Sequence, residues 1–151
     1  MAMDYARNTD QELIMVQLDL EKAYDHVNWS FVYGLMHTMG FGPLFIRTRC
    51  GVSSKLNGGV TSYIALTRFV RQGCPLSPLL FAIVTHPLLV MLSKLATNGG
   101  IVGLHLPSGG QLVAQALADD SFMFLQGSRE NLEKGMLVWN LFALASGLHI
   151  N

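Results

Sequence analysis

A chain of 151 residues, half of them hydrophobic, 13% charged and with zero net charge, is long enough for one domain with a sizeable core. Cys50 and Cys74 are too few and too far apart for a disulfide framework or a zinc site, so they read as small buried hydrophobes. The longest apolar stretch, Pro75 to Leu95, is interrupted by Ser77, Thr85, His86 and Pro87, and no membrane span is expected.

Residues 1–11 are polar, with Asp4, Arg7 and Asp10 and no signal-peptide core. They are expected to be a disordered N-terminus, and the chain to be intracellular. Alternating apolar positions predict a strand over 13–19, then a tight turn through Glu21–His26. Asn28 or Trp29 starts a helix reaching Met39, with Phe31, Leu35 and Met39 on one face and Gly40 ending it. Pro43 opens a second helix to about Ser53, and residues 60–67 read as a strand. Gly73 and Pro75 break the chain before a long apolar helix over 77–96, kinked at Pro87 and closed by Asn98-Gly99-Gly100. Strand 101–106, a Ser108-Gly109-Gly110 turn, strand 111–117, an Asp119-Asp120 turn and strand 121–125 make a meander. A last helix over 128–145 opens with Ser128 and Glu130 and ends at Gly147. This mixture predicts an α+β domain with helices packed on one face of an antiparallel sheet.

The charges are unevenly spread. Residues 1–25 carry net −4, residues 26–118 carry +6 without a single Asp or Glu, and residues 119–151 carry −2. Burial explains few charges in the middle segment but not their one-sided sign, which suits a surface meeting a polyanion. Asp19 and the Asp119-Asp120 pair stand at the ends of apolar runs. Two carboxylates about 4 Å apart repel by about 4 kcal/mol at an effective dielectric near 20. A hard, oxygen-seeking cation such as Mg²⁺ relieves that cost, which points to metal-assisted phosphoryl transfer. Singly, each element has a bland reading: Asp19 as a turn cap, Asp-Asp as a solvated turn, Arg71-Gln72-Gly73-Cys74-Pro75 as a loop before a Ser77 N-cap.

In order and spacing, LDLEKAYD (18–25), VRQGCPLSPLLF (70–81), LADD (117–120) and SGLHIN (146–151) resemble the palm of a non-LTR (LINE-type) retrotransposon reverse transcriptase, plant-like in character. Trp29 and Met39-Gly40-Phe41-Gly42-Pro43 extend the resemblance, which runs from Ile14 to Asn151. It implies a polymerase palm, a ferredoxin/RRM-like antiparallel sheet with helices on one face. The activity implied is RNA-directed DNA polymerisation by two-metal nucleotidyl transfer from a dNTP to a primer 3′-hydroxyl, with an RNA template and a DNA primer. Asp19, Asp119 and Asp120 would be catalytic, with Asp19 and Asp119 as the chief ligands of two Mg²⁺ ions, Asp120 beside them and the Leu20 carbonyl assisting, and Mn²⁺ as a substitute. Tyr24 matches the aromatic under the sugar of the incoming nucleotide; Gln72 and Gly73 would contact nucleotide and template, and Arg71 a phosphate. Asp25 also fits the pattern and reads as structural. The resemblance further implies a nuclear or cytoplasmic ribonucleoprotein.

Two positions depart from the family pattern: Leu117 stands where Tyr or Phe precedes Ala-Asp-Asp, and Phe69 replaces a Gly. Fingers and thumb are expected to lie largely outside these residues, in a parent polyprotein, leaving apolar surface exposed. The alternative is a catalytically inactive retroelement remnant with at most weak nucleic-acid binding. A nucleotide cyclase lacks its Gly-Gly-Asp-Glu-Phe turn here, and no GxSxG elbow or P-loop occurs. The five histidines show no ligand spacing.

Overall fold

Ile14, Val16 and Leu18 alternate with Met15, Gln17 and Asp19, and a period of two can bury one face of a strand and leave the other open. In the computed structural model this segment is the edge strand of a three-stranded antiparallel sheet. The structure describes residues 2–20, 23–46, 51–52, 55–56, 59–60, 64–65, 77–117 and 120–149. Its elements begin with α1 (Ala2–Asn8), β1 (Leu13–Asp19), α2 (Ala23–His26), α3 (Trp29–Thr38) and α4 (Pro43–Ile46). Four two-residue strands follow, β2 (Gly51–Val52), β3 (Lys55–Leu56), β4 (Gly59–Val60) and β5 (Ile64–Ala65), then the long helix α5 (Ser77–Thr97). The remainder is β6 (Leu104–His105), β7 (Gln111–Leu112), β8 (Ala114–Leu117), β9 (Asp120–Gln126) and α6 (Arg129–Ser146).

The sheet order is β1-β9-β8, so the strands carrying Asp19 and Asp120 are neighbours. Alternation sorts the side chains into two clusters. On one face Val16, Leu18, Met123 and Leu125 join Val32, Met36, Phe81, Val84, Leu88, Leu92, Trp139 and Phe142 from α3, α5 and α6. On the other, Phe124 and Leu104 pack with Ala6 of α1, flanked by Leu13, Leu112 and Phe122. Helix α5 is long and apolar enough to cross a membrane by length and composition. Here its inward side, including Leu80, Phe81, Val84, Leu88 and Leu92, is core, packed on α3, α6 and β8.

Local signals set several boundaries. Asn28 caps α3 by accepting from the Ser30 N–H at 2.9 Å. Ser128 accepts from the Asn131 N–H at 3.2 Å and starts α6. In the next turn Lys134 bonds Glu130 at 2.7 Å and holds its carboxyl below the usual range. The small support from this exposed pair is present at neutral pH and lost as acid protonates Glu130. Gly147 ends α6 at φ +79°. A Cβ there would also sit 3.0 Å from the His26 carbonyl oxygen. Gly147→Ala is therefore expected to destabilise the fold by about 1–2 kcal/mol, read as a lower urea midpoint.

Several expectations are corrected. Residues 2–8 form α1 where a disordered N-terminus is predicted, because Ala6 finds a pocket with Leu104 and Phe124 that polar composition does not reveal. The helix from Pro43 does not continue to Ser53: Gly51–Val52 is a strand paired with Ile64–Ala65. Of the strand over 60–67, Val60 pairs with Lys55 and Ile64–Ala65 with β2, and the rest lies outside the described residues. Strand 101–106 shrinks to Leu104–His105, and 111–117 is divided at Val113, with β7 pairing β6 and β8 pairing β9. The turn after Asp19 contains the helical segment α2. Leu44, Leu79, Leu137, Leu141 and Leu144 are exposed, in line with the expected apolar surface.

Candidate active site

The register of β1 on β9 sets Asp19 directly opposite Asp120. Directly opposed residues point to the same face, with Cβ atoms about 4.5–5.5 Å apart. Both residues are exposed, whereas their neighbours Leu18 and Ser121, also opposite each other, are buried at 3% exposure each. The two carboxylates thus stand at the exposed end of the β1–β9 ladder, on the face that α1 covers further along at Phe124, and over a buried floor. The Ser121 Oγ in that floor has no hydrogen-bond partner among the described residues. Leu20, 4% exposed, anchors the chain into the core just beyond Asp19.

Like charges directly opposite across two strands are destabilising. Among the described residues no lysine or arginine pairs with Asp120; its hydrogen bond comes from Gln17, whose Nε2 donates to Oδ1 at 3.5 Å. Gln17 lies two residues before Asp19, opposite Phe122, and so shares the face of the two carboxylates. Two hard oxygen donors on an exposed face fit a divalent cation of the Mg²⁺ type. They are a pair and not a closed cage, since no group of three or more His, Cys, Asp or Glu gathers among the described residues.

Of the residues singled out from sequence, the fold brings together Asp19 and Asp120, with Leu20 adjoining. Tyr24 belongs to α2, five residues past Asp19, and Asp25 in the same helix is half-buried. Asp119, Arg71, Gln72 and Gly73 lie outside the described residues, as does Phe69. Leu117 stands opposite Asp120 in the β8–β9 register, beside the pair as the motif spacing implies. Gln17 was not singled out. Its only signal is a polar residue at an outward strand position, and that signal acquires meaning only once the β1–β9 register is known. The histidines are less scattered than their spacing suggests: the rings of His26 and His149 lie 5.4 Å apart, edge to face. An apolar groove of about 460 Å³ lined by Met39, Phe41, Leu79, Leu80, Ala82, Ile83 and His86 lies on the helix side of the sheet and shares no residue with the carboxylate site.

Residues 2–151 match the family described as reverse transcriptase (RNA-dependent DNA polymerase). A Xenopus laevis protein, the transposon TX1 uncharacterized 149 kDa protein, is 34% identical over 157 residues, covering 99% of this chain and 12% of that relative. The chain therefore spans about an eighth of that relative's length. Among solved structures, telomerase from Candida albicans in complex with a TWJ fragment of telomeric RNA aligns with TM-score 0.58 at 12% identity, over 99% of this chain and 28% of that one. Apo telomerase from Candida tropicalis, truncated from its C-terminal domain, aligns with TM-score 0.53 at 14% identity, over 97% and 31%. Both are alike in fold, an α+β arrangement around an antiparallel sheet that agrees with the polymerase palm.

Proposed function

Because the chain belongs to the reverse transcriptase family, we propose that its carboxylate pair is the metal-holding centre of an RNA-directed DNA polymerase of LINE-type retrotransposon origin. The observation that carries this reading is the pairing of Asp19 with Asp120 at the exposed end of the β1–β9 ladder. The 34% identity to a transposon protein supports the retroelement origin. The telomerase neighbour held in complex with RNA supports an RNA template as one partner.

In this reading Asp19 and Asp119, with Asp120 beside them and the Leu20 carbonyl assisting, would hold two Mg²⁺ ions. When bound, such ions lower the pKa of a hydroxyl nucleophile and neutralise charge on the transferring phosphate. The chain's own part is to hold the two carboxylates at fixed separation on rigid strands, so that little reorganisation is left for the moment of reaction. Buried Leu18 and Leu20 on either side of Asp19 fix that strand end. Tyr24 is assigned to the sugar of the incoming nucleotide, Gln72 and Gly73 to nucleotide and template, and Arg71 to phosphate. The substrates are a DNA primer and dNTPs.

The test is extension of a DNA primer on an RNA template with Mg²⁺ or Mn²⁺, using folded chain and an Asp119→Asn/Asp120→Asn variant as blank. Template-directed extension by the wild type alone is the expected result. No extension from folded wild type would leave a palm without activity of its own, the inactive remnant.

A further inference from the structure

We propose that Gln17 is a positioning residue for Asp120, orienting its carboxylate toward a bound divalent ion; this rests on the reading of Asp19 and Asp120 as a metal centre. Gln17 is exposed and shares the outward face of β1 with Asp19. Its side chain crosses to the neighbouring strand and donates through Nε2 to Asp120 Oδ1 at 3.5 Å. Electrostatics fix the orientation of the amide, since turning its oxygen toward a carboxylate would set two acceptors against each other.

The length of the contact matters. A settled N–H···O bond is about 2.9 Å, so the 3.5 Å contact steers Asp120 without clamping it. Oδ1 is engaged by the amide while Oδ2 is left for an ion. Glutamine suits this task better than a lysine would. An ammonium at the same point would neutralise Asp120 and repel a divalent ion, whereas a neutral amide orients the carboxylate and leaves its charge in place. Donors to the far side of a ligating group commonly set metal affinity by 10–100-fold.

The experiment is Mn²⁺ titration of the full chain, followed by calorimetry, for wild type, Gln17→Met and Gln115→Met. Methionine keeps the length of glutamine and removes the donor. Gln115 is an equally exposed glutamine opposite Phe122 on its β8 side, so its replacement controls for loss of a surface amide. Gln17→Met is expected to weaken Mn²⁺ binding about tenfold with an unchanged melting temperature, and Gln115→Met to bind as wild type. A Gln17→Met affinity within twofold of wild type, or an equal loss in Gln115→Met, overturns the proposal and leaves the metal centre standing. Absence of Mn²⁺ binding by folded wild type overturns the metal centre and this proposal with it.

Discussion

Asp19→Asn is expected to abolish RNA-templated primer extension, by about a thousandfold. Asp19 faces Asp120 across paired strands on an exposed surface. The substitution deletes the hard anionic ligand that Asp19 is proposed to be, and Asn offers a divalent ion only a neutral carbonyl. A single preorganised electrostatic contact of this kind is commonly worth 10²–10³ in rate, and a direct metal ligand stands at the upper end. Steady-state extension checks this, with thermal melting on the same preparation to show that the variant folds. Activity within tenfold of wild type would remove Asp19 from the chemistry. Lost activity together with lost folding would show that the aspartate is structural.

The second large effect is on the core. Trp139→Ala is expected to cost about 3–5 kcal/mol, a large share of the roughly 5–15 kcal/mol by which domains are stable. Trp139 is 1% exposed and packs beside Phe142 with ring centroids 5.9 Å apart; Phe142 in turn meets Phe31 of α3 at 6.1 Å. The indole thus ties α6 to α3 through one aromatic chain. Its Nε1 is buried without a hydrogen-bond partner among the described residues. A buried unsatisfied N–H subtracts from what the ring contributes, so Trp139→Phe is expected to cost under about 1.5 kcal/mol despite the smaller ring. Urea unfolding of the two variants separates shape from polarity. Equal losses in both would mean that the full volume of the indole, and not merely an aromatic ring, is what α6 requires.

Where burial is decided within a few residues, the sequence was readable. Ile14, Val16 and Leu18 mark β1 because a half-buried strand must alternate. Asn28, Ser128 and Gly147 mark helix ends because each supplies a cap or a left-handed backbone locally. The carboxylate pair was readable for a different cause, since the motif order implied that the two segments meet. What escaped was decided by partners distant in the chain. The split at Val113 arises because β7 and β8 pair different strands, and alternation carries no information about partner identity. Pro43 announces a helix start but nothing about its length, and the chain is back in a strand by Gly51. Helix α1 depends on Ala6 reaching Phe124 and Leu104, with Ala2 and Tyr5 packed beside it, contacts no composition rule anticipates.

The β1–β9 ladder joins segments about a hundred residues apart, and contacts so distant in sequence form slowly because chain entropy is lost before they reward it. In the proposed reading, the two carboxylates of the metal centre meet on that ladder. During synthesis, then, the first third of the chain carries Asp19 long before its partner has been made, and cannot gather an ion by itself. On that reading, cation binding requires the completed sheet. A chain ending before β9 would lack one of the two paired carboxylates, and a bound ion would favour the finished fold over every incomplete one.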